Sequence, residues 1–148
     1  MQPKRRSALV IATLASLGAC SAATAGGREL VKDGDNYRIA AAVLVGKTAR
    51  AGQLEIAIQP KGKWKLSIEA PMMIELTTPD SLRISKKQVS KADAVEKTPK
   101  ILLFRLPFEA TRGGEHALGM KFDFVMCTDT LCQKKRFELR YTVKAGRG

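Results

Sequence analysis

The strongest constraint on the fold lies near the C-terminus, where two alternating segments flank a short stretch bounded by cysteines. In residues 115–127 apolar side chains recur at every second position, and residues 133–145 repeat the pattern. A period of two predicts two half-buried β-strands, joined here as an antiparallel hairpin. The apolar positions are Leu118, Met120, Phe122, Phe124 and Met126 in the first segment and Phe137, Leu139, Tyr141 and Val143 in the second.

The two cysteines of this region stand at the mouth of the hairpin. Cys127 follows the core-facing Met126 by one position, and Cys132 precedes Phe137 by an odd number of positions. Both sulfurs should therefore lie on the face opposite the core. Directly opposite Cβ atoms of an antiparallel pair are about 4.5 to 5.5 Å apart, and a disulfide needs about 3.5 to 4.5 Å. Because modest closure would join the sulfurs, we predict an outward-facing disulfide.

The N-terminus has the three parts of an export signal. Basic residues at positions 4–6 precede an apolar run at residues 8–17, and small residues follow. The run is too short for a transmembrane helix, which needs about 20 apolar residues. We therefore predict that residues 1–19 are a signal peptide and that the protein is exported.

Two cleavage sites compete at the end of this signal. The sequence Leu-Gly-Ala-Cys that ends at Cys20 resembles the lipobox of bacterial lipoproteins, in which the cysteine is lipidated and becomes the first residue. The sequence Ala-Thr-Ala at residues 23–25 resembles an ordinary signal-peptidase site. We favour the lipobox, and therefore expect a periplasmic protein held to a bacterial membrane by its N-terminal lipid. In either case Cys20 is acylated or removed, which leaves one cysteine pair in an oxidising compartment.

The segment after the signal is small, polar and contains glycine, so we predict a flexible tether over residues 20–35 and one folded domain over residues 36–146. The formal net charge of the chain is +12, and loss of the signal peptide removes three cations and leaves +9. Such a balance favours anionic partners, either lipid headgroups or acidic proteins. Nucleic acid is disfavoured because the lysines are scattered rather than grouped with exposed aromatic residues. A solvated basic surface without a dedicated partner is the plain alternative.

Short alternating segments separated by Gly and Pro turns fill the chain between the tether and the hairpin. No long amphipathic helix interrupts them, so we predict an all-β fold, an immunoglobulin-like antiparallel β-sandwich. The charged stretch at residues 86–98 is only loosely periodic, and we interpret it as a long loop with room for one helical turn. Strands are predicted around residues 37–45, 54–58, 64–70, 74–76, 82–84 and 101–108.

Other chemistry finds little support in the sequence. The single histidine, His116, stands beside a Gly-Gly turn without a nucleophile motif, so we expect a surface histidine at a strand start. Two cysteines and one histidine do not fill a structural zinc tetrahedron. A Cu(I) site with Met120 and Met126 is disfavoured, because these methionines have core parity and the cysteines do not. We therefore predict no metal and no other cofactor.

The cysteine pair itself is open to two interpretations. As a staple over residues 127–132 it closes a short loop and contributes only about 2 kcal/mol. As a reactive bridge it would be accessible to the thiolate of another protein, and exposed bridges are the reducible ones. Lys134, Lys135 and Arg136 follow it and would favour a thiolate. No helix N-terminus precedes the pair, which suits a passive relay better than an attacking enzyme.

Residues 124–132, Phe-Val-Met-Cys-Thr-Asp-Thr-Leu-Cys, follow a strand introduced by Gly-Gly and precede a final alternating strand. This arrangement resembles the periplasmic N-terminal domain of the thiol:disulfide interchange reductase DsbD and its relatives. Residues 59–71, with Gly-Lys-Trp-Lys-Leu, and residues 103–108 extend the resemblance over most of the mature chain. The resemblance implies an immunoglobulin-like sandwich, a redox pair made of Cys127 and Cys132, and Cys132 as the cysteine that forms mixed disulfides with partners.

Two functions follow from these observations. The first is thiol-disulfide exchange with thioredoxin-like proteins of the cell envelope, for which this domain would need a separate electron donor. The second is a non-catalytic envelope lipoprotein, in which the bridge only holds the hairpin of an interaction domain. The region that matches the aromatic cap loop of the family, residues 88–95, contains no aromatic residue.

Overall fold

The computed structural model describes residues 28–45 and 50–146. Within them the chain forms eleven β-strands and one 3-10 turn at Lys91–Asp93. No helix in this part of the chain has the length and apolar content needed to cross a membrane. The strands are β1 (Glu29–Asp33), β2 (Tyr37–Val45), β3 (Ala51–Pro60), β4 (Lys65–Leu66), β5 (Met73–Thr77), β6 (Leu82–Ile84), β7 (Gln88–Ser90), β8 (Glu96–Thr98), β9 (Ile101–Ala110), β10 (Gly114–Cys127) and β11 (Cys132–Ala145).

The strands form two antiparallel sheets that enclose one core. The first sheet has the order β1-β2-β3-β9-β6, and β8 also pairs with β9. The second sheet has the order β11-β10-β5-β7, and β4 also pairs with β10. Side chains from both sheets meet in a single apolar cluster, whose largest fully buried members include Phe104, Phe122 and Phe124. The predicted antiparallel β-sandwich is therefore confirmed.

The alternation of the C-terminal hairpin places one face of each strand against this core. In β10 the even-numbered side chains from Leu118 to Met126 are at most 1% exposed. In β11 the inward side chains are the odd-numbered ones, and most remain half-buried because β11 is an edge strand. Phe137 anchors it, since its ring stacks on those of Phe122 and Tyr37 at centroid distances of 5.3 Å in both cases. The hairpin is thus joined to both sheets.

The predicted tether is wrong in its second half. Glu29–Asp33 forms β1 and pairs with β2, so the sandwich begins before the predicted boundary at residue 36. The register shifts between Leu30 and Lys32, and such an irregularity disturbs the alternation that identifies a strand in sequence. The signal peptide, Cys20 and the first part of the tether lie outside the described residues.

The predicted loop at residues 86–98 contains two short strands, β7 in the second sheet and β8 in the first. β7 has a single buried apolar residue, Val89, and β8 has none, so neither strand shows the alternation by which the three-residue β6 was predicted. The one helical turn that we expected in this loop is the 3-10 turn. At its N-cap, the backbone N–H of Ser90 donates a hydrogen bond to the Asp93 carboxylate at 2.9 Å. This segment therefore carries the chain from one sheet to the other.

Candidate functional site

Cys127 and Cys132 end the pairing of the two longest strands. β10 and β11 are in register without interruption from Gly114 opposite Ala145 to Cys127 opposite Cys132. The two cysteines form a disulfide, and their Cα atoms are 4.0 Å apart. The predicted disulfide is confirmed, and its position is the tip of the hairpin.

The four-residue turn at this tip is closed by hydrogen bonds of its own. The backbone N–H of Thr128 donates to the carbonyl oxygen of Leu131 at 2.7 Å. The Thr128 hydroxyl oxygen accepts from the backbone N–H groups of Thr130 and Leu131 at 3.4 and 3.2 Å. These bonds hold the turn from within, so the disulfide is an addition to a turn that is already formed.

Both sulfurs lie on the side of the sheet that faces away from the core, as the parity predicts. The preceding Met126 is fully buried, whereas Cys127 is half-buried and Cys132 is exposed. The two cysteines differ in what lies beside them within the sheet. Cys127 has β11 on one side and Lys65 of β4 on the other, whereas Cys132 has only β10 beside it among the described strands. Cys132 is therefore the more accessible of the two.

Charged side chains share the outward face of the hairpin with the bridge. Asp123 accepts hydrogen bonds from Arg136 at 2.9 and 3.3 Å, and the ammonium of Lys134 lies 3.6 Å from it. Burial alone would raise the pKa of Asp123, but the hydrogen bond from Arg136 and the charges of both cations lower the pKa below its usual value. The carboxylate therefore stays ionised and engages both cations, which share its outward face.

The expected cluster of three thiolate-favouring cations is only partly present on this face. Lys134 and Arg136 share the outward face with the sulfurs. Lys135 has the opposite parity, and its ammonium lies 5.6 Å from the ring centroid of Tyr37 on the inward side. Successive residues of a strand point to opposite faces, so a run of three basic residues cannot surround one exposed bridge.

A polar contact that the sequence did not reveal lies beneath the tip. Asn36 is only 6% exposed, and its side-chain amide donates to the Gln133 side-chain oxygen at 3.1 Å. Gln133 directly follows Cys132, so this bond ties the turn between β1 and β2 to the cysteine hairpin. The side-chain oxygen of Asn36 is buried and has no hydrogen-bond donor among the described residues. Nothing in the local sequence marks this pair, because the two residues are 97 positions apart.

The expectation of a surface histidine is wrong. His116 is 1% exposed, and its Nδ1 lies 2.8 Å from the Ser81 hydroxyl while its Nε2 lies 3.0 Å from the Arg112 carbonyl oxygen. With Nε2–H donating to the carbonyl, Nδ1 accepts from Ser81. His116 shares the even parity of Leu118, which was the available signal for its burial. It stands at the other end of β10 from Cys127, about 35 Å along the strand, and does not belong to the cysteine site.

The methionines do not join the cysteines either. Met120 and Met126 are core side chains with exposures of 1% and 0%, on the opposite face of β10 from the bridge. The described part of the chain contains no group of three or more His, Cys, Asp or Glu side chains that could hold a metal ion. A shallow hollow of about 250 Å³ begins two positions along the strands from the cysteines, at Val125 and Lys134, and is also lined by Pro71, Met72, Met73 and Asp123.

Comparison with known proteins informs the fold. No protein-family model and no curated protein matches this chain. Among solved structures it is similar to the GAE domain of GGA2p from Saccharomyces cerevisiae, with a TM-score of 0.52 and 11% identity over 80% of this chain and 99% of that one. The GAE domain of yeast GGA1 gives a TM-score of 0.46 and 9% identity over 78% and 98% of the two chains. The similarity to the first of these concerns the fold, and the chain is an immunoglobulin-like β-sandwich as its sequence predicts.

Proposed function

We propose that this domain exchanges disulfides with other proteins through Cys127 and Cys132. The observation that carries the proposal is the position of the bridge, which lies with an exposed Cys132 at the tip of a hairpin whose turn has hydrogen bonds of its own. A bridge over residues 127–132 contributes only about 2 kcal/mol, and the turn has its own hydrogen bonds. Accessible bridges of this kind are the reducible ones.

The surroundings of the two sulfurs favour Cys132 as the sulfur that is attacked. A thiolate approaches a disulfide from behind the attacked sulfur, roughly in line with the bond that breaks. Behind Cys127 lies β4 with Lys65, whereas behind Cys132 lies the open edge of the second sheet. The resemblance to the DsbD N-terminal domain implies the same cysteine.

The exchange proceeds in two steps. The thiolate of a partner attacks Sγ of Cys132, a bond forms between these sulfurs, and Cys127 leaves as a thiolate. The partner's second thiolate then attacks its own sulfur in the mixed disulfide and releases Cys132 as a thiolate. Two electrons have moved, the partner dithiol has become a disulfide, and the cysteine pair has become a dithiol after taking up two protons. The reverse sequence passes the electrons to a second, oxidised protein.

The proposed setting is the bacterial cell envelope. The export signal at residues 1–19 and the lipobox at Cys20 support a periplasmic, lipid-anchored protein, and an oxidising compartment supports a disulfide as the resting state. A thioredoxin-like dithiol protein is the partner of matching chemistry. The hollow that begins at Val125 and Lys134 would accept an apolar side chain of that partner.

The second candidate is a non-catalytic domain in which the bridge is a staple. It is favoured by one observation, that Cys127 and Cys132 are ordinary register partners in an unbroken strand pair. The reduction potential separates the two candidates. A value between about −120 and −270 mV is expected for exchange, and a value below about −300 mV would assign the bridge to a structural role.

Trapping of partners tests the proposal more directly. A Cys127→Ser variant leaves Cys132 able to capture an oxidised partner in a mixed disulfide that cannot be resolved from within the chain. The matched Cys132→Ser variant leaves only the less accessible sulfur, and we expect it to capture at least about tenfold less. Equal capture by both variants, or none by either in the envelope, would contradict the assignment.

A further inference from the structure

The edge of β11 that faces away from β10 is the largest feature left unused by the exchange chemistry. No strand of residues 28–45 and 50–146 pairs with it. Proteins commonly protect such edges by keeping the strand short, by placing a proline or a bulge in it, or by lining it with charged side chains. Among these protections β11 has only the charged side chains. β11 runs from Cys132 to Ala145 without a proline and in unbroken register with β10. Such an edge is a ready template for one more strand.

The register identifies the backbone groups that point towards this edge. Cys127 and Cys132 have Cα atoms 4.0 Å apart, which fits the closely spaced, non-hydrogen-bonded pairs of an antiparallel ladder, where the distance is about 4.5 Å. The hydrogen bond between Thr128 and Leu131 in the adjacent pair agrees with this assignment. Even-numbered residues of β11 therefore direct their N–H and C=O groups away from β10. Cys132 belongs to this row.

The side chains along the edge specify what it would bind. The outward row is exposed and contains four cations and one anion: Lys134, Arg136, Glu138, Arg140, Thr142 and Lys144. Asp123 engages Lys134 and Arg136, whereas Arg140 and Lys144 form no ion pair within the described residues. The inward row contains the half-buried Phe137, Leu139 and Tyr141, which pack against the core and leave part of their surface uncovered. One face of the edge is thus basic. The other is apolar from Phe137 to Tyr141, where the Lys32 ammonium lies 4.0 Å from the Phe137 ring centroid, and polar at Gln133 and Lys135.

We infer that the β11 edge binds an extended segment of a partner protein in which acidic residues alternate with apolar ones, as an added β-strand. The acidic side chains face the basic row, and the apolar ones extend the core beside Phe137 and Tyr141. A second copy of this chain fits poorly. Antiparallel self-pairing about Glu138 would set this residue against itself and Arg136 against Arg140, and like charges directly opposite are destabilising.

The inference rests on the proposed function, because it describes the partner segment that would bring a thiol to the exchange site. A residue of the added strand opposite Cys132 projects its side chain to the same face, with its Cβ about 5 Å from that of Cys132. It arrives at the side of Cys132 that faces away from Cys127. A cysteine at that position is therefore delivered along the direction of attack, so the edge would both hold the partner and align its thiol.

The first test measures binding of synthetic peptides to the full chain. A nine-residue peptide of alternating Glu and Val should bind and slow amide hydrogen exchange at Glu138, Arg140 and Thr142 by at least about tenfold. A peptide of alternating Lys and Val should bind at least about tenfold more weakly. Absence of binding by the acidic peptide, equal binding by both peptides, or protection away from the β11 edge would overturn the inference.

Variants of the edge provide the matched controls. Thr142→Pro removes one edge-facing N–H and should weaken binding of the acidic peptide at least about tenfold. Arg140→Glu reverses one unpaired charge and should weaken binding at least about fivefold, which keeps the test valid if the proline variant is unstable. Lys87→Glu makes the same change of charge at an exposed residue next to β7, at the other edge of the sheet, and should change binding less than about twofold. Equal effects of Arg140→Glu and Lys87→Glu would overturn the inference, because binding would then depend only on the net charge of the protein.

Reduction kinetics keep this inference separate from the exchange proposal. With a cysteine in the acidic peptide, Arg140→Glu should slow reduction of the bridge by that peptide at least about fivefold and leave reduction by dithiothreitol unchanged. Equal slowing with both reductants would overturn the edge as a docking surface. A reduction potential in the range of structural bridges would overturn the exchange proposal, whereas peptide binding would still report on the edge.

Discussion

The two ends of the C-terminal hairpin are built from the same two strands but are held in different ways. At the base, Val143 and Ala145 are buried, and His116 makes two buried hydrogen bonds. At the tip, the inward positions of β11 are the half-buried polar residues Gln133 and Lys135, and the strands are joined by an exposed covalent bridge.

We infer from this difference that the stability of the hairpin and the proposed disulfide exchange depend on different parts of it. Burial along the inward face of β10 and the hydrogen bonds of His116 at the base hold the hairpin in the sandwich, whereas the bridge lies on the outward face of the tip. The proposed exchange requires that a bridge in such a place opens and closes without unfolding the domain. Four measurements test how far the two ends of the hairpin differ.

The largest effect is expected beneath the tip, on its inward face. Phe124→Ala removes a fully buried ring that packs edge-to-face on Tyr37 and Phe137, at centroid distances of 5.6 and 5.9 Å. We expect the free energy of unfolding in urea to fall by about 3 to 5 kcal/mol. Val125→Ala, at the outward neighbour, should cost less than about 1 kcal/mol. Similar losses for both variants would mean that the tip is loosely packed on both faces.

The base should depend on its buried histidine. His116→Ala removes two hydrogen bonds and leaves the Arg112 carbonyl without its donor, so we expect a loss of about 2 to 3 kcal/mol in the free energy of unfolding. Ser81→Ala removes only one of these bonds and should cost about 1 kcal/mol. A loss for the histidine variant no larger than for the serine variant would show that the base is held by packing alone.

The bridge should contribute less than the base. A variant with both Cys127 and Cys132 replaced by Ser should stay folded and lose at most about 2 kcal/mol in the same measurement. Changes in backbone amide chemical shifts should be confined to the turn and its neighbours, because the hydrogen bonds of Thr128 remain. Global unfolding on loss of the bridge would assign it to the structural role.

The smallest effect concerns Asp123 on the outward face of the hairpin. Because its pKa in the folded state lies below the usual value of 3.8, the ionised carboxylate adds stability at neutral pH, and this contribution is lost as the pH falls from about 4 through the lower folded pKa. Both cations are largely exposed, so Asp123→Asn should cost less than about 1 kcal/mol at pH 7. The difference between the two proteins should vanish below the folded pKa, and a difference that persists there would exclude ionisation as its cause.

Much of the fold could be predicted because its strongest signal is local. The period of two in β10 and β11 set the strands, the inward residues and the outward parity of both cysteines, and the chain bears these out. The strands that escaped prediction are those whose period is broken or absent, namely β1 with its irregular register, β7 with one buried apolar residue and β8 with none. His116 had the parity of a buried residue, but the adjacent glycines indicated a surface turn, and its contact with Ser81 across the fold outweighed that signal.

Local pattern alone was therefore enough for an all-β sandwich and for two cysteines that face each other outside the core, since both follow from which residues alternate along one strand. Tertiary pairing decided that β4 lies behind Cys127 while an open edge lies behind Cys132, and that Asn36 reaches Gln133 beneath the tip. Whether a strand lies in the interior or at the edge of a sheet depends on hydrogen bonds between segments far apart in the chain. No period within a single segment carries that information.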